Sequence, residues 1–329
     1  MNRTNVPPPV TQVMDAAQAW LPTLMASVER RLAAVIEGHG EDLAGDARAT
    51  LRAGGKRLRP MLVLLCAGPP ADESALRAAV AVELVHMATL VHDDVLDGAP
   101  LRRGLPTVVA TSGRERATAV GDLLLSRAFA ELGSGSEPAT QVQVGLLARA
   151  SVGLAKGELA QRRDAFNLQV SAEDYLARCT LKTARLFECA CLMGRPQPDP
   201  AAEALAVFGR QIGLAFQMLD DVLDIAGPPE RTGKALGTDL LDGTVTLPLI
   251  LAMKREPSLA TLDLHALDAA GAAATCTRIV ATGVLDDVRA DARARVAEAK
   301  SVLAACEDLA PSQRGLLALV ADGVVERYA

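Results

Sequence analysis

Leu90-Val91-His92-Asp93-Asp94-Val95-Leu96-Asp97 is answered far downstream by Gln217-Met218-Leu219-Asp220-Asp221-Val222-Leu223-Asp224, and the two stretches share the word Asp-Asp-Val-Leu-Asp. In each, the apolar residues ahead of the acids recur at helical spacing, which predicts a helix whose first and last aspartates, at i and i+4, share one face. Three carboxylates on one turn repel one another and cannot be buried bare, so a cation is expected among them. An all-oxygen donor set suits a hard ion such as Mg²⁺, which keeps several waters and shares phosphate oxygens with a substrate. Taken alone, one such cluster reads as a solvated helix face. Two copies, each closing an apolar helix segment (80–91 and 212–216), read instead as a metal site built from two facing helices.

The 329 residues are 50% hydrophobic but only 2% aromatic, so the core is made of Ala, Leu and Val. That composition favours close-packed helices over strands. The length fits either two average domains or one large helical domain. A net charge of −6, from 34 basic and 40 acidic residues without a long block of one sign, argues against nucleic acid binding as the main role. Residues 1–20 contain Pro7-Pro8-Pro9 and no apolar stretch of the kind a secretory signal needs. The longest apolar runs, 61–67 and 245–253, fall short of the ~20 residues that span a bilayer, so no transmembrane segment is expected. Six cysteines lie scattered at 66, 179, 189, 191, 276 and 306 without a Cys-x-x-Cys pair, which fits small core residues in a reducing, cytoplasmic setting.

Helices are expected over 15–37 and 41–53, the latter ended by Gly54-Gly55, whose paired glycines can supply a left-handed cap. Lys56-Arg57-Leu58-Arg59-Pro60 then places three cations between a glycine break and a proline that can open the next helix. It reads as a solvated basic loop or as a diphosphate site, where backbone and cations approach the anion together. Asp72 or Ser74 caps a long helix that reaches the first acidic motif. His86 lies on it two turns before Asp93, either as a satisfied core histidine or aligned with the acids. Arg102-Arg103-Gly104 follows one short loop later. Further helices are expected over 113–132, 137–163, from Ser171 with a capping box, and over 200–225. Lys182-Thr183 sits amid Leu181, Ala184, Leu186 and Phe187, so the lysine either snorkels outward or faces the site. Gln217, three before Asp220, shares its face. A loop carrying Lys234, Gly237 and Asp239 comes next, and shorter amphipathic helices fill 258–329.

Two triads of carboxylates and separate groups of cations suggest two diphosphates, one bridged by metal and one held by Lys and Arg. No Ser–His–Asp set or nucleophilic Cys suggests covalent catalysis. The ordered set from Gly54-Gly55-Lys56-Arg57-Leu58-Arg59-Pro60 to Gly233-Lys234 resembles the trans-prenyl diphosphate synthases of the polyprenyl synthetase family, over nearly the whole chain. The resemblance implies the all-α isoprenoid synthase fold: a single large bundle of antiparallel helices around a central cavity, spanning 1–329 with a flexible arm at 1–14. It also implies a homodimer that joins isopentenyl diphosphate to an allylic diphosphate by ionisation, condensation and elimination. By motif, Asp93, Asp97 and Asp220 would ligate Mg²⁺, three ions with substrate bound, with Asp94, Asp221 and Asp224 as further ligands or their supports. Lys56, Arg59, His86 and Arg103 would hold isopentenyl diphosphate. Arg102, Lys182, Thr183, Gln217 and Lys234 would face the allylic substrate or its developing cation, and the leaving diphosphate would be the base.

Many members carry a Gly-Lys pair where this chain has Gly243-Thr244, so one contact to the allylic diphosphate is expected to be missing. Members that stop at farnesyl place an aromatic ring where this chain has Ala88 and Thr89, which implies a product of geranylgeranyl length or longer. A class I terpene cyclase would need an Asn/Ser/Glu triad in place of the second aspartate motif. A non-catalytic partner subunit would have lost one motif or the basic loop, and both are present.

Overall fold

The computed structural model describes residues 8–37, 39–196, 198–227 and 236–326, so Lys234 lies outside the described residues. Helices dominate it. In chain order they are α1 (Pro8–Ala16), α2 (Leu21–Ile36), α3 (Glu41–Arg52), α4 (Leu58–Ala67), α5 (Glu73–Asp97), α6 (Val108–Ser112), α7 (Arg114–Gly133), α8 (Pro138–Arg163), α9 (Ala172–Cys179) and α10 (Arg185–Met193). There follow α11 (Ala202–Ala226), α12 (Thr238–Leu241), α13 (Leu247–Arg255), α14 (Ala269–Ala281), α15 (Val284–Ala305) and α16 (Pro311–Glu326). A hairpin of β1 (Leu101–Arg102) and β2 (Leu105–Pro106) is the only sheet among the described residues.

The helix expected over 15–37 is two helices. Pro22 stands in the first turn of α2, and a proline there removes a donor and disfavours helix in the residue before it, so the chain turns between α1 and α2. α1 packs on α16 and buries Val13, so helix already occupies the second half of the arm expected at 1–14. The cap of α5 is Asp72, whose carboxylate accepts the Ala75 amide at 2.9 Å, and Gly98 closes the helix at φ +62°. The capping box at Ser171 and Asp174 forms as its spacing predicts.

Helix α5 is apolar around most of its circumference, and α2, α4, α7, α8 and α10 surround it. It is long and apolar enough to cross a membrane by length and composition, unlike the shorter runs visible in the sequence, but most of it is buried inside the bundle. α10 touches both α5 and α11, and so stands between the two helices that carry the acids.

Two pairs of glycines four residues apart set how closely the middle helices approach. A methyl on Gly157 of α8 would lie 2.6 Å from the Lys182 backbone nitrogen, and one on Gly213 of α11 would lie 2.7 Å from the Ala184 Cα. Gly153 and Gly209 extend the same seams, on Arg185 and Glu188 respectively. Hydrogen at Gly157 and Gly213 lets the segment between α9 and α10 lie against backbone on both sides, whereas Gly153 has room for a methyl. Gly209→Ala puts a methyl 2.7 Å from the Glu188 Cα, backbone that cannot swing aside. It should destabilise the chain by about 1–3 kcal/mol, read as a lowered midpoint in chemical denaturation. An unchanged midpoint would mean that the seam has slack.

Candidate active site

The first turn to consider is one that a regular helix lacks. Between α9 and α10 the chain widens into a π turn, Thr180–Ala184, which carries Lys182 and Thr183. Such turns insert one residue into a helix and re-aim the side chains on it. Lys182 reaches toward the first motif, with its Nζ 4.0 Å from Asp93 and 2.5 Å from Glu158 of α8. Thr183 reaches toward the second: its hydroxyl donates to Gln217 Oε1 at 2.8 Å, and the Gln217 amide donates to Asp221 at 2.8 Å. Consecutive residues thus join α5 to α11. The partner of Gln217 is Asp221, one residue beyond the Asp220 that its spacing suggests, because i and i+4 bring side-chain ends together here.

The acids differ in what holds them. Asp94 is buried and takes both Nε and Nη2 of Arg102, at 2.8 and 2.7 Å. Asp97 takes Arg162 of α8 at 2.5 Å. Asp221 is buried between the Tyr175 hydroxyl, which donates at 2.6 Å, and Gln217. Asp224 accepts the backbone amides of Thr238 and Asp239, both at 3.1 Å, and so caps the short α12. Asp220 is exposed at the mouth. Burial pushes the Asp93 carboxyl up to about 6 against the pull of Lys182, and burial likewise raises Asp221. Among the described residues, no three acids, histidines or cysteines close on one another as a self-contained metal cluster.

Against α5 lies a cavity of about 490 Å³, lined by Arg48, Arg52, His86, Asp94, Arg102 and Arg103 with Met87 and Leu90. His86 therefore shares this space with Asp94. Its imidazole is held well below the usual range, first by burial and then by the charge of Arg59 and its neighbours, so it is neutral at pH 7. Arg103 stands at φ +54° and Gly104 at φ +76°, the two positive values that a two-residue turn of the primed type requires. Gly55 leaves room opposite: a Cβ there would meet the Arg103 and Arg57 guanidinium groups at 3.2 Å. In the basic loop Arg57 turns inward to Glu29 (2.6 Å) and Glu83 (2.8 Å), which places it as the anchor of the loop. Lys56 is half-buried beside it. Arg59 lies 4.5 Å over the Phe187 ring, its Nε buried without a hydrogen-bond partner, and burial lowers it to about 10, still charged at neutral pH.

Thus the arginine-lined cavity reaches the first acid-bearing helix end, where Asp94 and Arg102 belong to both. A model of the polyprenyl synthetase family matches residues 41–280. The chain belongs to the polyprenyl synthetase family. Over 249 residues it is 39% identical to the heptaprenyl diphosphate synthase component 2 of Geobacillus stearothermophilus, covering 74% of this chain and 77% of that one. It is 34% identical over 294 residues to the geranylgeranyl diphosphate synthase of Methanosarcina mazei, covering 87% and 90%. The crystal structure of a polyprenyl synthase from Caulobacter crescentus CB15, complexed with calcium and isoprenyl diphosphate, superimposes with a TM-score of 0.88 over 97% of this chain and 98% of that one, at 34% identity. The architecture is the isoprenoid synthase fold.

Within this polyprenyl synthetase, the turn that carries Thr244 is pinned from two sides. The Gly243 carbonyl accepts the Phe166 amide at 2.7 Å, and the Val245 carbonyl accepts buried Arg178 at 2.6 Å. Four residues of the site escape a reading of the sequence: Glu158, Gln161, Arg162 and Tyr175. Glu158 and Gln161 both hold Lys182. Tyr175→Phe removes only the hydroxyl on Asp221. The expected result is a kcat lowered about tenfold, corresponding to about 1.4 kcal/mol, with the fold retained. An unchanged kcat in steady-state assays would mean that Gln217 alone orients the carboxylate.

Proposed function

We propose that this trans-prenyltransferase elongates an allylic diphosphate with isopentenyl diphosphate in the presence of Mg²⁺, giving an all-trans product of geranylgeranyl length or longer. The observation that carries the reading is the bridge of Lys182 and Thr183 between the two aspartate motifs, beside an arginine-lined cavity. The donor chemistry fits a hard cation, since every group at the two motif turns offers carboxylate oxygen. Asp93, Asp97 and Asp220 would hold the metal, supported by Asp94, Asp221 and Asp224, and three ions would be present with substrate. Bound there, Mg²⁺ would neutralise the departing diphosphate.

The remaining work falls to the chain itself. Lys56, Arg59, Arg103 and neutral His86 bind the diphosphate of isopentenyl diphosphate through charge-assisted and neutral hydrogen bonds. Arg102 and Lys182, with Lys234, balance the allylic diphosphate. Thr183 fixes the Gln217 carbonyl by donating to it, and that preorganised dipole faces the allylic carbocation as it forms. The departing diphosphate takes the proton, so the protein supplies position and electrostatics rather than a base. Its six cysteines are all free and buried, which fits the cytoplasm. Val142, Val152 and Leu159 lie exposed along α8, which supports a homodimer through that helix. Because one relative is named as a component of its synthase, a second kind of chain is the other candidate partner, and the mass of the purified protein in solution separates the two.

The decisive assay is the product profile with isopentenyl diphosphate, Mg²⁺ and dimethylallyl, geranyl, farnesyl or geranylgeranyl diphosphate, read by mass spectrometry. Ala88 is buried on α5 and Thr89 donates its hydroxyl to the His86 carbonyl at 2.8 Å, so neither closes the floor with a ring. Ala88→Phe should shorten the product by at least one isoprene unit; an unchanged length would place the floor elsewhere, and no product with any primer would sink the synthase reading. Thr244→Lys should lower the allylic KM by adding a cation to the turn, and an unchanged KM and rate would show the turn to be remote from the diphosphate.

A further inference from the structure

The first motif and the end of α8 are joined by a chain of alternating charge that begins and ends on α5. Arg162 lies in the last turn of α8, with Nη2 2.5 Å from Asp97 Oδ1 and Nε 2.9 Å from Glu158 Oε1. The other oxygen of Glu158 takes Lys182 Nζ at 2.5 Å, and Lys182 stands 4.0 Å from Asp93. The order is therefore Asp97, Arg162, Glu158, Lys182, Asp93, and its two ends, Asp93 and Asp97, are one turn apart on α5. Arg162 keeps 41% of its side chain exposed, while Glu158 is 16% exposed and gripped from two sides. Glu158 is therefore the more firmly held of the two partners of Arg162, and the guanidinium borders solvent.

A divalent ion on Asp97 competes with Arg162 for the carboxylate, whose Oδ1 the guanidinium holds, and it repels the guanidinium. Arg162 must then leave Asp97. Its bond to Glu158 keeps it at the edge of the site, where the nearest uncompensated negative charge is the diphosphate that arrives with the metal. Resting on the reading of Asp97 as a metal ligand, we propose that Arg162 is an exchange residue. It holds Asp97 until a divalent ion binds there, and then passes to the allylic diphosphate as an additional binding cation. This role separates two affinities that a purely structural ion pair would move together or not at all.

The test uses the full chain with Mn²⁺ as a spectroscopically visible ion. Wild type, Arg162→Gln, Arg162→Lys and the neighbouring control Arg163→Gln are titrated with Mn²⁺ in the absence of substrate and followed by electron paramagnetic resonance. Each is then assayed for the KM of geranyl diphosphate at saturating metal. Arg162→Gln should bind Mn²⁺ about two- to five-fold more tightly, the size of a half-exposed ion pair, and should raise the allylic KM at least as much. Arg162→Lys should return both values toward wild type, and Arg163→Gln, whose partner is Asp164, should move neither. Unchanged or weaker Mn²⁺ binding by Arg162→Gln overturns the proposal, as does an unchanged KM. A wild-type chain that binds no Mn²⁺ overturns the metal reading itself, so the two failures are distinguishable.

Discussion

Six aspartates gathered at two helix ends are the constraint on which the rest of this structure depends. Carboxylates held near one another in a partly desolvated space raise one another's proton affinity and disfavour the folded state unless positive charge or donated hydrogen bonds compensate them. The chain meets this from four directions. Arg102 arrives from the β-hairpin, Arg162 from α8, Lys182 from the π turn, and Tyr175 from α9. Of the compensating groups described, only Gln217 shares a helix with the acid it serves, Asp221. Assembly of the site and assembly of the bundle are therefore one event.

Close packing makes that compensation geometrically available. Lys182 serves one acidic helix and Thr183 the other only because the backbone between them lies within a methyl's reach of α8 and α11. The π turn adds the residue that lets neighbours in sequence point to opposite motifs. The low aromatic content belongs to the same design: small and branched aliphatic side chains fill a bundle whose inner helices nearly touch, and the few rings are placed where they act. Phe187 supports the guanidinium of Arg59, and Tyr175 donates to Asp221.

The repeated Asp-Asp-Val-Leu-Asp word and its apolar flanks made the acid-bearing helices legible, because each is a local pattern with a fixed period, while the bundle fold came from the family resemblance. The division of labour among the acids was not. Helical spacing assigns Asp93 and Asp97 to one face, but it does not reveal that Asp94 is spoken for by an arginine eight residues on, or that Asp224 caps a helix beyond a loop. Arg57 and Arg59 look alike in sequence, two positions apart in a basic run. One is a buried anchor on Glu29 and Glu83 and the other lies over Phe187, a difference set by partners from α2, α5 and α10. Glu158 and Arg162 read as ordinary helix charges at i and i+4, and only the approach of α8 to α5 gives them a place at the site.

The two motifs, identical in sequence, are thereby unequal in kind. Around Asp221 and Asp224 the described donors are a phenol, a carboxamide and two backbone amides, groups without net charge that can remain in place when a cation approaches. Around Asp94 and Asp97 they are guanidinium groups, and Lys182 stands near Asp93; a dication competes with each of these. The described groups beside the two copies thus differ in charge, neutral donors at Asp221 and Asp224 and cations at Asp94 and Asp97. That asymmetry follows from which helices pack beside each copy rather than from the copies themselves.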